Sequence, residues 1–196
     1  MKVLKRETEY LEQFQDDFIG IKPHPDIIHI PTGYIGDYEV KVDYNIDMAS
    51  EANCYRYESL YYKKNVIADN NPKHLYKRHQ WLIDNAYGDV LVFGLGLGDS
   101  LNLLMKKWRA KAVRSILVIE KYQEIIALVA PYFTKNNISD SVCIMQGDIY
   151  SLNTLIKSFD VIYHAIWNSP PDQDEINTIS NKYKKYCTKQ GFIYQK

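Results

Sequence analysis

The 196-residue sequence predicts an α/β protein built on a doubly wound, mainly parallel sheet. Three observations predict it. From residue 72 onward, short apolar runs alternate with helical segments five times. The apolar runs lack polar/apolar alternation, so they read as strands buried on both faces, with helices covering each side of the sheet. A glycine-rich turn, GLGLGDS, joins the first of these strands to its helix.

Residues 1–71 read as a separate, β-rich N-terminal extension. Leu4, Leu11, Phe14 and Phe18 fall near one face of a helix over 4–18. Pro23, Pro25 and Pro31 then argue for an extended connection. Residues 38–46 alternate strictly, with Val40, Val42, Tyr44 and Ile46 on one face, as in a half-buried strand. Residues 55–68 read as a hairpin turning around Lys63–Asn65.

Residues 72–196 form the main domain. Asn71-Pro72 is a cap followed by proline in the first helical turn. The helix runs to about Ala86, with Leu75, His79, Leu82, Ile83 and Ala86 on one side, and Gly88 ends it. Strand 89–93 enters the glycine turn. A helix over about 100–108, strand 115–120, a helix over 122–134 broken or restarted at Pro131, and strand 142–146 follow. A short helix near 151–157, strand 160–164, a helix over 173–187 and strand 192–194 complete the pattern.

Composition excludes several classes. Lys+Arg and Asp+Glu each number 24, so the formal charge of zero gives no strong nucleic-acid signal. Cys54, Cys143 and Cys187 are scattered, with no zinc spacing, and fit free thiols in a reducing compartment. The start MKVLKRETEYLEQF is too charged for a secretory segment, and no run reaches the apolar length of a membrane span. The expectation is a soluble, cytoplasmic protein with no bound metal, able to form a homo-oligomer.

Four places carry candidate chemistry. Gly94, Gly96 and Gly98, with Leu95 and Asp99 between and after them, let the backbone approach a ligand closely. The alternative is tight strand–helix packing alone. Asp99 occupies the third-glycine position of a dinucleotide site, and no P-loop G-K-[ST] is present. The G-x-G-x-G spacing suits a ligand without a pyrophosphate. Glu120, next to Lys121 at the end of SILVIE, can accept bonds from ribose hydroxyls, or be a solvated strand end. Asp148 can accept from an adenine amino group, flanked by Ile149, and can also cap a helix. His164, Trp167 and Asn168 leave the fourth strand beside that site, where ligands bind in open α/β sheets. His164 is either a general base or a hydrogen-bonded structural histidine. Trp167 is either an acceptor platform or core. Asn168-Ser169-Pro170-Pro171 is similar to the N-P-P-[YFW] loop of amino-group methyltransferases, broken by the serine and Asp172.

Together these residues resemble the class I S-adenosylmethionine-dependent methyltransferases, within them the spermidine-synthase-like branch. Val92 fits that branch, which carries an aliphatic residue where others have an acid. The sequence is also similar to small methyltransferase-like proteins of phage and bacterial genomes, through GDVLVFGLGLG (88–98), VIEK (118–121), IALVAP (126–131) and DVIYHAIW (160–167). The resemblance implies a Rossmann-like sheet and S-adenosyl-L-methionine as cofactor, and the sheet expected here departs from the family's by being truncated after the fifth strand, where an antiparallel pair usually follows. It implies Gly94, Gly96 and Gly98 against methionine and ribose, Glu120 on the ribose and Asp148 on the adenine. His164, Trp167 and Asn168 would face an oxygen or nitrogen acceptor. Ala165 replaces the aspartate of those relatives, and spermidine synthases read G-G-G-D-G-G in the glycine loop. Aminopropyl transfer, a non-catalytic or virion-associated binder, and an NAD-linked enzyme stay open as alternatives, the last against the glycine spacing.

Overall fold

The computed structural model describes residues 28–45, 55–109, 111–135, 141–167 and 170–194. The expected helix over 4–18, Pro23, Pro25, Ile46, Cys54 and Asn168 lie outside the described residues.

Four antiparallel strands come first: β1 (Gly33–Ile35), β2 (Tyr38–Asn45), β3 (Tyr55–Tyr62) and β4 (Asn65–Asp69), in the order β1-β2-β3-β4. The expected hairpin is β3–β4. Its turn places Lys63 and Lys64 at φ 47° and 68°, the left-handed pair that a two-residue hairpin turn requires. In β2 the alternation holds at Tyr38 and Val40, which are buried, and fails at Tyr44, which is exposed.

Next come α1 (Pro72–Arg78) and α2 (Gln80–Asn85), where the sequence predicts one helix. The Asn71 side chain caps α1 by accepting the Lys73 N–H at 3.0 Å. His79 interrupts the run at φ −99°, ψ 12°, with its ring drawn inward to the Tyr163 hydroxyl. Gly88, at φ 61°, opens β5 (Gly88–Phe93) rather than closing the helix.

The remaining elements are α3 (Asp99–Arg109), β6 (Val113–Glu120), α4 (Gln123–Lys135), β7 (Val142–Gln146), β8 (Phe159–Trp167), α5 (Gln173–Tyr183), a 3-10 turn (Lys184–Tyr186) and β9 (Cys187–Tyr194). Helix α4 continues through Pro131. The helix expected near 151–157 is absent. The Asp148 carbonyl accepts from Ser151 and Leu152, making one turn. Leu152 and Leu155 then pack onto the core, and Asn153 and Thr154 are poor helix formers.

Strands β5 to β9 form one sheet in the order β7-β6-β5-β8-β9, with every pair parallel. This is the doubly wound α/β fold. Both faces of β5 are buried. Val90 and Val92 join a core with Leu82, Leu101, Leu104 and Val129, on the side of α2, α3 and α4. Leu91 and Phe93 join the opposite core with Ile179 and Tyr183 of α5. The first core also contains Tyr38, Val40, Leu60 and Ala68, so the N-terminal sheet is packed into the same apolar mass as the α/β unit. Strand β9 lies at the sheet edge and pairs with β8 alone among the described residues. The N-terminal sheet packs against α4, and its Leu60 and Ile67 share a cavity lining with Ile193 of β9.

Candidate functional site

From β5 the sheet is built outward in two opposite senses, through β6 to β7 on one side and through β8 to β9 on the other, which makes the carboxyl end of β5 the topological switch point of the sheet. A cavity of about 250 Å³ opens there.

The glycine turn forms its floor. Gly94, Gly96 and Gly98 have φ of 93°, 52° and 85°. A Cβ on Gly94 would lie 2.2 Å from the Ala165 carbonyl oxygen, and one on Gly98 would lie 2.4 Å from the Phe133 ring. Both glycines are therefore needed for packing as well as for backbone shape. At Gly96 the nearest atom to such a Cβ is the Ala68 methyl at 3.7 Å, an ordinary contact, so a methyl there has room.

Glu120 ends β6, is buried, and reaches under the turn. Its Oε2 accepts the Leu95 N–H at 2.8 Å and its Oε1 accepts the Tyr122 N–H at 2.9 Å. Asp148 follows β7. It accepts the Tyr150 N–H at 3.0 Å and pairs with Lys121 at 3.0 Å. Partial burial works against its ionisation, but that N–H and the lysine hold its carboxyl below the usual range. Gly94, Leu95, Gly96, Asp99, Glu120, Lys121, Asp148 and Ile149 all line the cavity. Gly98 supports it from behind, against Phe133.

The fourth strand tip divides. Trp167 lines the cavity and donates its Nε1–H to Glu175 at 2.9 Å. The Tyr150 hydroxyl donates to the same carboxylate oxygen. His164 is placed elsewhere. Its ring stacks between Phe93 and Phe192, at 5.5 and 4.6 Å, is fully buried, and meets Gln190 through Nε2 at 2.9 Å. Burial lowers its pKa to about 4, which Gln190 only partly opposes. It does not line the cavity. Asp172 caps α5 by accepting the Glu175 N–H at 2.7 Å.

Sequence reasoning missed one wall. Leu60, Ile67 and Ala68 from the N-terminal hairpin close the cavity together with Arg78, His79 and Ser100. The His79 Nδ1 lies 3.1 Å from the Tyr163 hydroxyl and 3.4 Å from the Ser100 hydroxyl. Burial, helped by the Arg78 charge, lowers its pKa to about 3, so the imidazole is neutral. The only trace in the sequence is a histidine among the apolar positions of a helix face. Tyr122 and Tyr150, both exposed, complete the rim.

Among the described residues, no group of three His, Cys, Asp or Glu side chains could hold a metal ion, and no helix is long and apolar enough to cross a membrane. No protein-family model matches the sequence, and no curated protein matches it. Solved structures are similar over part of the chain. One is a S-adenosylmethionine-dependent methyltransferase from Clostridium acetobutylicum, 17% identical over 61% of this chain and 47% of that one, with a TM-score of 0.44. Another is the CcbJ methyltransferase from Streptomyces caelestis, 17% identical over 61% and 48%, TM-score 0.46. A third is the SAH-bound methyltransferase PaMTH1 from Podospora anserina, 19% identical over 58% and 46%, TM-score 0.45. The chain spans about half the length of these structures.

Proposed function

We propose that this chain is a S-adenosylmethionine-dependent methyltransferase acting on an oxygen or nitrogen nucleophile. The observation that carries the reading is the convergence, in one cavity, of the glycine turn after β5 and the carboxylates after β6 and β7. Each Glu120 oxygen has a lone pair beyond the one given to Leu95 or Tyr122, so the carboxylate can still accept from ribose hydroxyls. Asp148 would accept from an adenine amino group, and Ile149, Tyr150, Tyr122 and Trp167, which line the same cavity, would flank the ring.

The cofactor supplies a methyl group on a positively charged sulfur. The protein then contributes alignment and exclusion of water. Leu60, Ile67, Ala165 and Ile193 give the cavity an apolar lining that would suit the body of an acceptor. His79 is on the cavity wall as a neutral imidazole beside the Tyr163 and Ser100 hydroxyls, and burial, by lowering its pKa to about 3, makes it a weak base. The Ala165-Ile166-Trp167 tip offers no carboxylate to a polyamine. Val92 still favours an origin near the spermidine-synthase-like branch and its phage and bacterial relatives, with methyl rather than aminopropyl transfer as the reaction. The scattered thiols favour a cytoplasmic location.

The test is thermal unfolding with S-adenosylmethionine, its demethylated product and NAD. A ligand at a hundred times its Kd adds about 2.7 kcal/mol of apparent stability. Stabilisation by both adenosyl compounds and none by NAD is the expected result. Stabilisation by NAD alone would overturn the proposal.

A further inference from the structure

The loop after β7 delivers Tyr150 to the cavity, and the tip of β8 delivers Trp167. In the sheet, β6 and β5 stand between these two strands, so the two rings come from opposite sides of the switch point. They nevertheless meet at a single atom. The Trp167 Nε1–H donates to Glu175 Oε1 at 2.9 Å, and the Tyr150 hydroxyl donates to the same oxygen. Glu175 does not itself line the cavity.

Helix α5 is built for this contact. Glu175, Ile179, Lys182 and Tyr183 stand at i, i+4, i+7 and i+8, which places them on one helical face. Ile179 and Tyr183 bury that face in the core. Lys182 donates to the carbonyls of Ile149 and Tyr150, both at 2.8 Å, and the Tyr183 hydroxyl donates to the Ile149 carbonyl at 2.6 Å. The loop backbone is thus moored to α5. Behind Trp167 lies Phe192, with ring centroids 6.0 Å apart. What remains to be set is where the two side chains stand, and Glu175 sets it. Partial burial, then the bond to Glu175 and its charge, raise the Tyr150 phenol to about 12, so the hydroxyl stays a donor at neutral pH. With the indole N–H and the phenol O–H both given to Glu175, the two side chains leave mainly ring surface for a ligand.

We infer that Glu175 is a positioning residue, which ties the loop after β7 to the tip of β8 and so holds Tyr150 and Trp167 as one aromatic wall before the ligand arrives. This rests on the adenosyl reading of the site, since the ligand that meets the wall is taken to be an adenosyl compound. Without the shared carboxylate, both rings have to be ordered anew at each binding event. For two such side chains that ordering corresponds to roughly five- to a hundredfold in affinity.

Calorimetry with S-adenosylhomocysteine on the full chain tests this, with urea unfolding as the control for stability. Glu175→Ala is expected to bind roughly five- to a hundredfold more weakly than the unaltered protein. Glu175→Gln, whose amide oxygen can still accept from both rings, should recover most of the affinity. In a Tyr150→Phe, Trp167→Phe background, which lacks both donors, Glu175→Ala should have no further effect, because a residue acting only through those rings is not additive with them. If Glu175→Ala does not fold, Tyr150→Phe, which loses one hydroxyl, decides in its place and should bind several-fold more weakly. Affinity equal to that of the unaltered chain in the deciding variant would overturn the inference and leave the adenosyl reading standing. So would a Glu175→Ala loss that persists undiminished in the background lacking both donors. Failure of the unaltered chain to bind the probe would overturn both.

Discussion

The Oε2 of Glu120 accepts the backbone N–H of Leu95 at 2.8 Å, across 25 residues of chain. The tip of β6 thus holds the glycine turn in shape before any ligand arrives. Its second oxygen accepts the Tyr122 N–H. Glu120→Ala should therefore leave two N–H groups without their acceptor, at about 1–3 kcal/mol for each group that stays buried. It should also weaken S-adenosylhomocysteine by roughly ten- to a hundredfold. Urea unfolding and calorimetry read the two effects. A variant equal to the unaltered protein in both would remove Glu120 from the site.

The three glycines of the turn should respond unequally to alanine. Gly98→Ala places a methyl 2.4 Å from Phe133 at φ 85°, and Gly94→Ala places one 2.2 Å from the Ala165 oxygen at φ 93°. Backbone strain and overpacking together should cost each about 2–5 kcal/mol. Gly96→Ala meets only Ala68 at 3.7 Å and should cost about 1–2 kcal/mol, mainly left-handed strain. Equal melting temperatures for all three would contradict the cavity geometry.

Acid should destabilise the protein between about pH 6.5 and 4. His79 and His164 have folded pKa values lowered from 6.5 to about 3 and about 4. Their contribution is full above the unfolded pKa and is lost as pH falls toward the folded one. Asp99 acts oppositely. Its folded pKa is raised from 3.8 to about 7, so the native state holds a proton there that the unfolded chain has lost. Two histidines less one aspartate leave about one net proton, or about 1.4 kcal/mol per pH unit. Asp99→Asn should steepen the slope toward two protons' worth. Urea titrations at half-unit steps of pH would show it, and an unchanged slope would count against the buried, open state of Asp99.

Trp167 borders the cavity while its indole N–H is held by Glu175. Binding of S-adenosylhomocysteine should change the tryptophan emission, and Trp167→Phe should remove most of that change. A full signal persisting in the variant would locate the ligand away from β8.

A fragment of residues 72–196 should not hold a native core. Leu60, Val40 and Ala68 share one apolar cluster with Leu97, Leu101 and Val129. Their removal uncovers that face to water, at about 25 cal/mol per Å² of apolar surface. A fragment with native-like near-ultraviolet dichroism and a cooperative transition would show the boundary to be a true domain border.

The sequence by itself determined the order of the parallel strands' elements and the three strand-end groups of the cavity. Each of those groups depends on local pattern alone: an apolar run, then GLGLGD, Glu120 or Asp148 at its end. A residue at a strand end is delivered to the carboxyl edge of the sheet whatever packs around it. What only the tertiary structure decided is which side chains face inward there. Along β8 both parities are apolar, so the sequence does not distinguish the face of Tyr163 from that of His164. Helix α5 and Phe192 claimed His164 for one core, while Tyr163 turned toward His79 on the other. Arg78, His79 and the Leu60–Ala68 wall reached the cavity through contacts distant in sequence. Those contacts follow from how the N-terminal sheet buries its apolar face in the same core as the helices on one side of the parallel sheet, and no local periodicity encodes that.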